Sequence, residues 1–231
     1  ATKQYYYDTS RRTYRTYYIP STLKSVTVLG GNILYGAFYN CNNLENIIIS
    51  EDVTNIGGNA FEGCSSLKYN EYDNGYYIGN TNNPYMILIK AKESNIVSCI
   101  INENCKFIYT SAFYNCSNLK SVEVPDSVTS IGKGVFNGCG GLESVTIPFV
   151  GREAGVTSKD TYQYPFGYIF GTESYDGGIA TTQYYYESGT SYTTSSTYYI
   201  PSILKSVTIT GGEILYGAFY KIGRASCRER V

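Results

Sequence analysis

Histidine and tryptophan are absent from this 231-residue chain, and methionine occurs once. Without histidine there can be no Ser-His-Asp or Cys-His nucleophile system, no histidine zinc site and no histidine-ligated haem. Charge is sparse as well. Only 16% of residues carry it, 18 basic against 19 acidic, so no strong field recruits nucleic acid or acidic lipid. The longest apolar runs, such as Tyr85–Ile89, fall far short of the roughly 20 residues that a membrane span needs. No Cys-x-x-Cys pair, phosphate-cradling loop or Gly-x-Ser-x-Gly elbow is present. These absences lead us to expect no enzymatic activity, no cofactor, no metal, no nucleic-acid partner and no membrane insertion in this fragment.

The chain is rich instead in tyrosine, with 27 residues, and in glycine, with 24. One stretch falls outside this pattern. Codon by codon, Ile222–Val231 reads as one frame of a common short-read sequencing adapter, with Lys221 completing it, so 221–231 is set aside as an artefact. The sequence also lacks an initiator Met, and we expect a fragment open at both ends.

Self-similarity appears at two scales. Leu119, Val122, Val124, Val128, Ile131, Gly132, Val135, Phe136, Cys139 and Leu142 define a frame. The same frame fits Leu44, Ile47, Ile49, Val53, Ile56, Gly57, Ala60, Phe61, Cys64 and Leu67, and, less regularly, Ile96 to Leu119. A shorter version runs from Leu23 through Val26, Val28, Ile33, Ala37, Phe38 and Cys41 to Leu44. A three-residue step followed by alternation suits a short strand with its apolar face inward. Glycine after Ile56 and Ile131 permits a tight bend, and the Ala-Phe pair suits one helical or 3₁₀ turn packing back on the core. One such coil buries too little to offset the entropy of ordering it, so neighbours must stack. We expect a β-rich α/β-type solenoid, with parallel short strands on one face and short helical or 3₁₀ turns opposite.

On the longer scale, Tyr17–Tyr39 matches Tyr198–Tyr220 at 19 of 23 positions. The chain then reads as one cassette and the start of another. Residues 1–18 end a Tyr-rich insertion arm, and 19–67 are repeat coils. A β-hairpin-like insertion at 68–95 is signalled by Asp73-Asn74-Gly75 and Asn83-Pro84. Coils resume at 96–148, a long Gly/Thr/Tyr-rich insertion fills 149–197, and 198–220 opens the next cassette. Phe166–Gly171 is the long insertion's apolar knot.

The pattern Leu-x-Ser-Val-x-Ile/Val-Pro-x-x-Val-Thr-x-Ile-Gly-x-x-Ala-Phe-x-x-Cys-x-x-Leu resembles the leucine-rich repeat of bacterial surface antigen A and Treponema repeat proteins. The resemblance covers roughly 19–67, 96–148 and 200–220. It implies a curved solenoid on secreted or wall-attached proteins that mediate adhesion and protein–protein contact. The short first coil, the insertions and Cys99 and Cys105 at Val positions depart from the pattern, leaving the strand register near 96–108 open.

Phe38, Cys41, Phe61, Cys64, Phe113, Cys116, Phe136 and Cys139 recur at fixed coil positions as a core ladder. Cysteines in adjacent coils could lie about 5 Å apart, so buried thiols and neighbour disulfides both remain open. Between the inward strand positions lie Lys24 and Thr27, Glu45 and Ile48, Lys120 and Glu123, and Glu143 and Thr146, a candidate binding face. Tyr184, Tyr185 and Tyr186 are candidate aromatic contacts, as are Tyr5–Tyr7 and Tyr198-Tyr199. The function expected is adhesion or protein–protein interaction at a microbial cell surface, or in secreted form, with a protein or glycoprotein ligand on a host or neighbouring cell. An intracellular scaffold solenoid and a glycan-binding surface module are the alternatives.

Overall fold

The structure is a computed structural model, and it describes residues 2–8, 13–154, 164–186, 193–215 and 217–222; within these, the side chains of 2–8, 13–17, 186 and 193 are not described. The chain divides into two compact units, Ala1–Asn70 with Tyr77–Met86, and Glu71–Tyr76 with Ile87–Val231.

In the first unit, β1 (Thr2–Asp8) and β2 (Thr13–Ile19) form an antiparallel hairpin. The solenoid proper then begins with β3 (Ser25–Val28), β4 (Gly31–Ile33), β5 (Asn46–Ile49) and β6 (Val53–Ile56). β3 pairs in parallel with β5, Val26 opposite Ile47 and Val28 opposite Ile49, and β4 pairs with β6 through a bulge at Gly31/Asn32. Each coil thus carries two short strands and two ladders. The alternation works as the sequence implies: Leu44, Ile47 and Ile49 are buried while Asn46 and Ile48 face solvent.

β7 (Asn70–Tyr72) and β8 (Gly75–Ile78) follow one another across Asp73-Asn74, whose left-handed Asp73 (φ 46°) makes the turn. In the second unit, the Asp73 carboxylate accepts from the Ile100 N–H at 2.7 Å, and Asn74 Nδ2 donates to the Ser98 carbonyl at 2.9 Å. These two bonds position an irregular stretch that has no strand of its own between 96 and 104, although Ile96, Cys99 and Ile101 are buried.

The second unit contains β9 (Ile87–Ala91), β10 (Phe107–Ile108), β11 (Ser121–Glu123), β12 (Ser130–Ile131), β13 (Ser144–Ile147), the hairpin strands β14 (Gly178–Tyr186) and β15 (Thr193–Pro201), and β16 (Ser206–Ile209). Its front ladder is β11–β13–β16, all parallel and in register, and its second ladder is β9–β10–β12, also parallel. Ile87–Ala91 therefore runs as a solenoid strand beside Phe107-Ile108, a pairing that no local pattern announces.

The Ala-Phe segments do not form helix. They are chains of turns, and around Phe38 and Phe113 alternate N–H groups take different partners. Ala37, Tyr39 and Cys41 donate three residues back, at 3.0–3.1 Å, whereas Gly36, Phe38 and Asn40 donate to Gly58, Ala60 and Glu62 of the next coil, at 2.8–3.1 Å. Ser111, Phe113 and Asn115 do the same towards Lys133, Val135 and Asn137. Left-handed residues four apart, Gly36 and Asn40 (φ 65° and 57°), Ser111 and Asn115 (57° and 58°), Gly134 and Gly138 (63° and 81°), aim these donors outward and stop a helix from propagating. The result is an inter-coil hydrogen-bond ladder on the back as well as the front. Among the described residues the one helix is a 3₁₀ turn at Phe166–Ile169.

Phe38 stacks on Phe61 (6.0 Å between ring centres) in the first unit, and Phe113 on Phe136 (5.6 Å) in the second. Gly57 and Gly132 serve close approach rather than a bend. A Cβ on either would collide with the preceding coil's backbone, at Leu34-Tyr35 and at Tyr109-Thr110 respectively.

Candidate interaction surface

Parallel, in-register pairing fixes what the front face displays. Thr27 lies beside Ile48, and Glu123 beside Thr146 and then Thr208. Ile48 is 43% exposed despite its β-branched apolar side chain, and its far neighbour is the Gly79 backbone rather than another coil strand. Just after the leucine that opens each coil, the residues alternate in charge along the stack. Glu45 is held between Lys24 and Lys68, the latter at 3.3 Å. Glu143 is held between Lys205 at 2.7 Å and Lys120 at 3.9 Å. The Lys24 ammonium, then that of Lys68, lowers the Glu45 pKa, and Lys205, aided by Lys120, does the same for Glu143. Lys68 and Lys205 were not among the candidates read from the sequence. Their signal was present, since every one of these residues follows the leucine that opens a coil, in the order Lys, Glu, Lys.

The tyrosines divide by setting. Tyr184 is exposed and meets Tyr220 edge to face at 5.2 Å, and the Tyr185 hydroxyl lies 3.4 Å from Ser196 Oγ. The side chains of Tyr186 and of Tyr5–Tyr7 lie outside the described residues. Tyr198 is buried against Gly167, where any Cβ would strike its ring, so it serves packing, not contact.

Sequence reasoning missed Gln183. It is fully buried in the β14–β15 hairpin, where Oε1 accepts from the Gly167 N–H at 2.6 Å and Nε2 donates to the Ala218 carbonyl at 2.6 Å. One amide thus ties the knot at Phe166–Ile169 to the coil at 198–220. Its signal was the repeated Ala-Thr-x-Gln-Tyr-Tyr-Tyr, which carries Gln4 in one copy and Gln183 in the other. The knot itself lies between coils: Phe170 meets Phe136 at 6.0 Å and Phe166 stacks on Phe219 at 4.9 Å.

Cys41, Cys64, Cys99, Cys105, Cys116 and Cys139 are all buried, and none is joined in a disulfide. The thiols of Cys64 and Cys139 each donate to a phenylalanine carbonyl one coil back, Phe38 and Phe113, at 3.1 Å. Burial pushes the pKa up to about 11 for Cys64 and Cys116 and to about 12 for Cys99 and Cys105, and raises that of Cys139. Such thiols have almost no nucleophilic thiolate at neutral pH. Among the described residues no His/Cys/Asp/Glu cluster is arranged to hold a metal, and no helix is long and apolar enough to cross a membrane.

Residues 31–155 match the profile of the BspA-type leucine-rich repeat region, in six copies. The chain belongs to the BspA-type leucine-rich repeat family. Among solved structures, it is similar to a leucine-rich repeat protein of T. pallidum, at 23% identity over 63% of this chain and 69% of that one, with a TM-score of 0.32. A leucine-rich cell surface protein of Faecalibacterium prausnitzii is 27% identical over 55% of this chain and 48% of its own, with a TM-score of 0.31. The pneumococcal vaccine antigen PcpA is 14% identical over 83% of this chain and 57% of its own, with a TM-score of 0.29. No curated protein sequence matches the chain.

Proposed function

We propose that this chain is a non-enzymatic binding module displayed at a microbial cell surface, where its front face engages a protein or glycoprotein ligand on a host or neighbouring cell. The observation that carries this reading is the in-register front ladder. It displays Thr27 and Ile48 in one unit, and Glu123, Thr146 and Thr208 in the other, as side-by-side rows on rigid strands. Beside them, both glutamates are clamped between two lysines, so the charges are already ordered before a partner arrives. Ordered, complementary charge favours specificity and encounter rate over raw affinity, which suits a surface adhesin. Membership of the BspA-type repeat family supports the same reading. Reduced thiols do not require a reducing compartment here, because all six are buried, and burial raises the pKa of Cys64, Cys99, Cys105, Cys116 and Cys139.

Two measurements test the proposal. Purified protein is titrated by biolayer interferometry against immobilised matrix proteins, mucins and whole cells, with Ile48→Asp and Glu123→Lys variants alongside. Saturable binding that weakens in these variants is expected, and an absence of saturable binding to every surface sinks adhesion. Protease shaving of intact producing cells is expected to release the repeat, whereas complete protection would favour an intracellular scaffold.

A further inference from the structure

In the second unit the front ladder ends at β11, because the stretch beside it, 96–104, forms no strand. That stretch nevertheless keeps its place in the stack. The Lys120 N–H donates to the Val97 carbonyl at 3.2 Å, and Ile96, Cys99 and Ile101 are buried as Leu119, Val122 and Val124 are, 23 residues on. Val97 and Ile100 thus take the outward positions that Lys120 and Glu123 hold in the next coil. They are 61% and 63% exposed, beyond the 43% of Ile48, and neither was a candidate read from the sequence. Charge surrounds this apolar pair unevenly. Asp73, which is exposed, accepts from the Ile100 N–H, and Glu123, also exposed, follows Ile100 in the front row. Neither carboxylate has an ion-pair partner among the described residues, and the nearby ammoniums are engaged elsewhere. Glu71 holds Lys92 at 2.8 Å and raises its pKa, with a smaller contribution from Asp73, while Lys120 reaches Glu143 at 3.9 Å.

We propose, resting on the front-face reading above, that Val97, Ile100, Asp73 and Glu123 are the contact centre of that face. The partner they fit is an extended protein segment that places an arginine or lysine beside an apolar side chain. The two exposed aliphatic side chains supply the area that a partner must cover to gain affinity. A basic side chain matches both features at once, since its aliphatic stem lies along Val97 and Ile100 while its charged head reaches Asp73 or Glu123. An acidic segment meets like charge there, and a wholly apolar one covers two carboxylates without pairing them, so both are rejected. Beyond this centre the face continues as hydroxyl rows, Ser121–Ser144–Ser206 and Thr146–Thr208, which form a polar rim. Ile48 holds the same coil position as Ile100 in the first unit, but its register neighbours, Thr27 and Gly79, carry no charge. The selection for a basic partner therefore belongs to the second unit.

The test titrates the full chain into short fluorescent peptides and reads their anisotropy. One peptide alternates isoleucine with arginine, a second isoleucine with glutamate, and a third serine with arginine. Saturable binding of the isoleucine–arginine peptide is expected, with the other two about tenfold weaker or worse. Ile100→Asn is expected to weaken that binding about fivefold or more. Ile179→Asn, at an exposed isoleucine of the hairpin, is expected to leave it unchanged. Glu123→Lys is expected to weaken the isoleucine–arginine peptide roughly two- to fivefold and to strengthen the isoleucine–glutamate peptide by a similar factor. That gain is one that a misfolded variant cannot give. No saturable binding of the isoleucine–arginine peptide overturns the proposal. So does equal binding of the two charge signs, or indifference to Ile100→Asn. If the chain binds matrix proteins, mucins or cells yet ignores all three peptides, the partner chemistry fails while the front-face reading stands.

Discussion

Coils 17–39 and 198–220 present nearly one sequence in two settings, and their exposures differ where their neighbours differ. Ile33 is 3% exposed because β4 pairs with β6, while its counterpart Ile214 is 59% exposed. On the other side the order reverses: Ala218 is 1% exposed beneath the knot, whereas Ala37 is only half-buried. Local sequence therefore sets which side chains point inward, and the adjacent coil decides whether inward means buried. This is the expected behaviour of a quasi-one-dimensional repeat, whose stability sums intrinsic and nearest-neighbour terms.

The largest way to break the comparison is to place a charge at matched positions. Ile33→Asp should cost about 3 kcal/mol or more, because an unpaired carboxylate enters the core. Ile214→Asp should stay within about 0.5 kcal/mol. Urea unfolding of the two variants checks the contrast, and equal losses would contradict it. Next, Phe166→Ala removes the ring stacked on Phe219 and should cost about 3–5 kcal/mol in the second unit. Hydrogen exchange should then rise in 198–220 and stay unchanged around Phe38 and Phe61. Gln183→Ala strands the Gly167 donor and should cost about 1–3 kcal/mol, again read in the coil at 198–220 alone.

The smallest effect is electrostatic. Glu45 and Glu143 have folded pKa values lowered by their lysines. Each therefore contributes stability that is fully present above the ordinary glutamate range and fades as pH falls through the depressed value. Acid titration of thermal midpoints should show this loss in Lys205→Met less than in the parent, and added salt should shrink the difference.

Much of the coil was legible because inward positions alternate with period two. Leu44, Ile47 and Ile49, or Leu142, Val145 and Ile147, announce a half-buried strand without help from any partner. The Ala-Phe turns were less legible. Residues such as Ala112-Phe113 favour a helical turn in isolation, but the left-handed Ser111 and Asn115 that flank them hand alternate N–H groups to the next coil. The second ladder was legible only in part: Ile33 pairs with Ile56, both positions of the repeat frame, whereas Ile87 and Phe107 are register partners twenty residues apart with no shared motif. At the surface, the rows containing Thr27, Ile48, Glu123 and Thr146 followed from alternation. The Lys68 and Lys205 clamps needed the coil register, and Gln183 needed the knot it holds.

The central claim, that a nearly identical coil is ordered by what lies beside it, is tested most directly by amide hydrogen exchange on the monomer. Ser202 and Lys205 should be protected, because their N–H groups donate to Gly177 and Glu143 at 2.8 Å. Ser21 and Lys24, the same residues in the other coil, should exchange far faster. Equal protection at the two pairs would contradict the account.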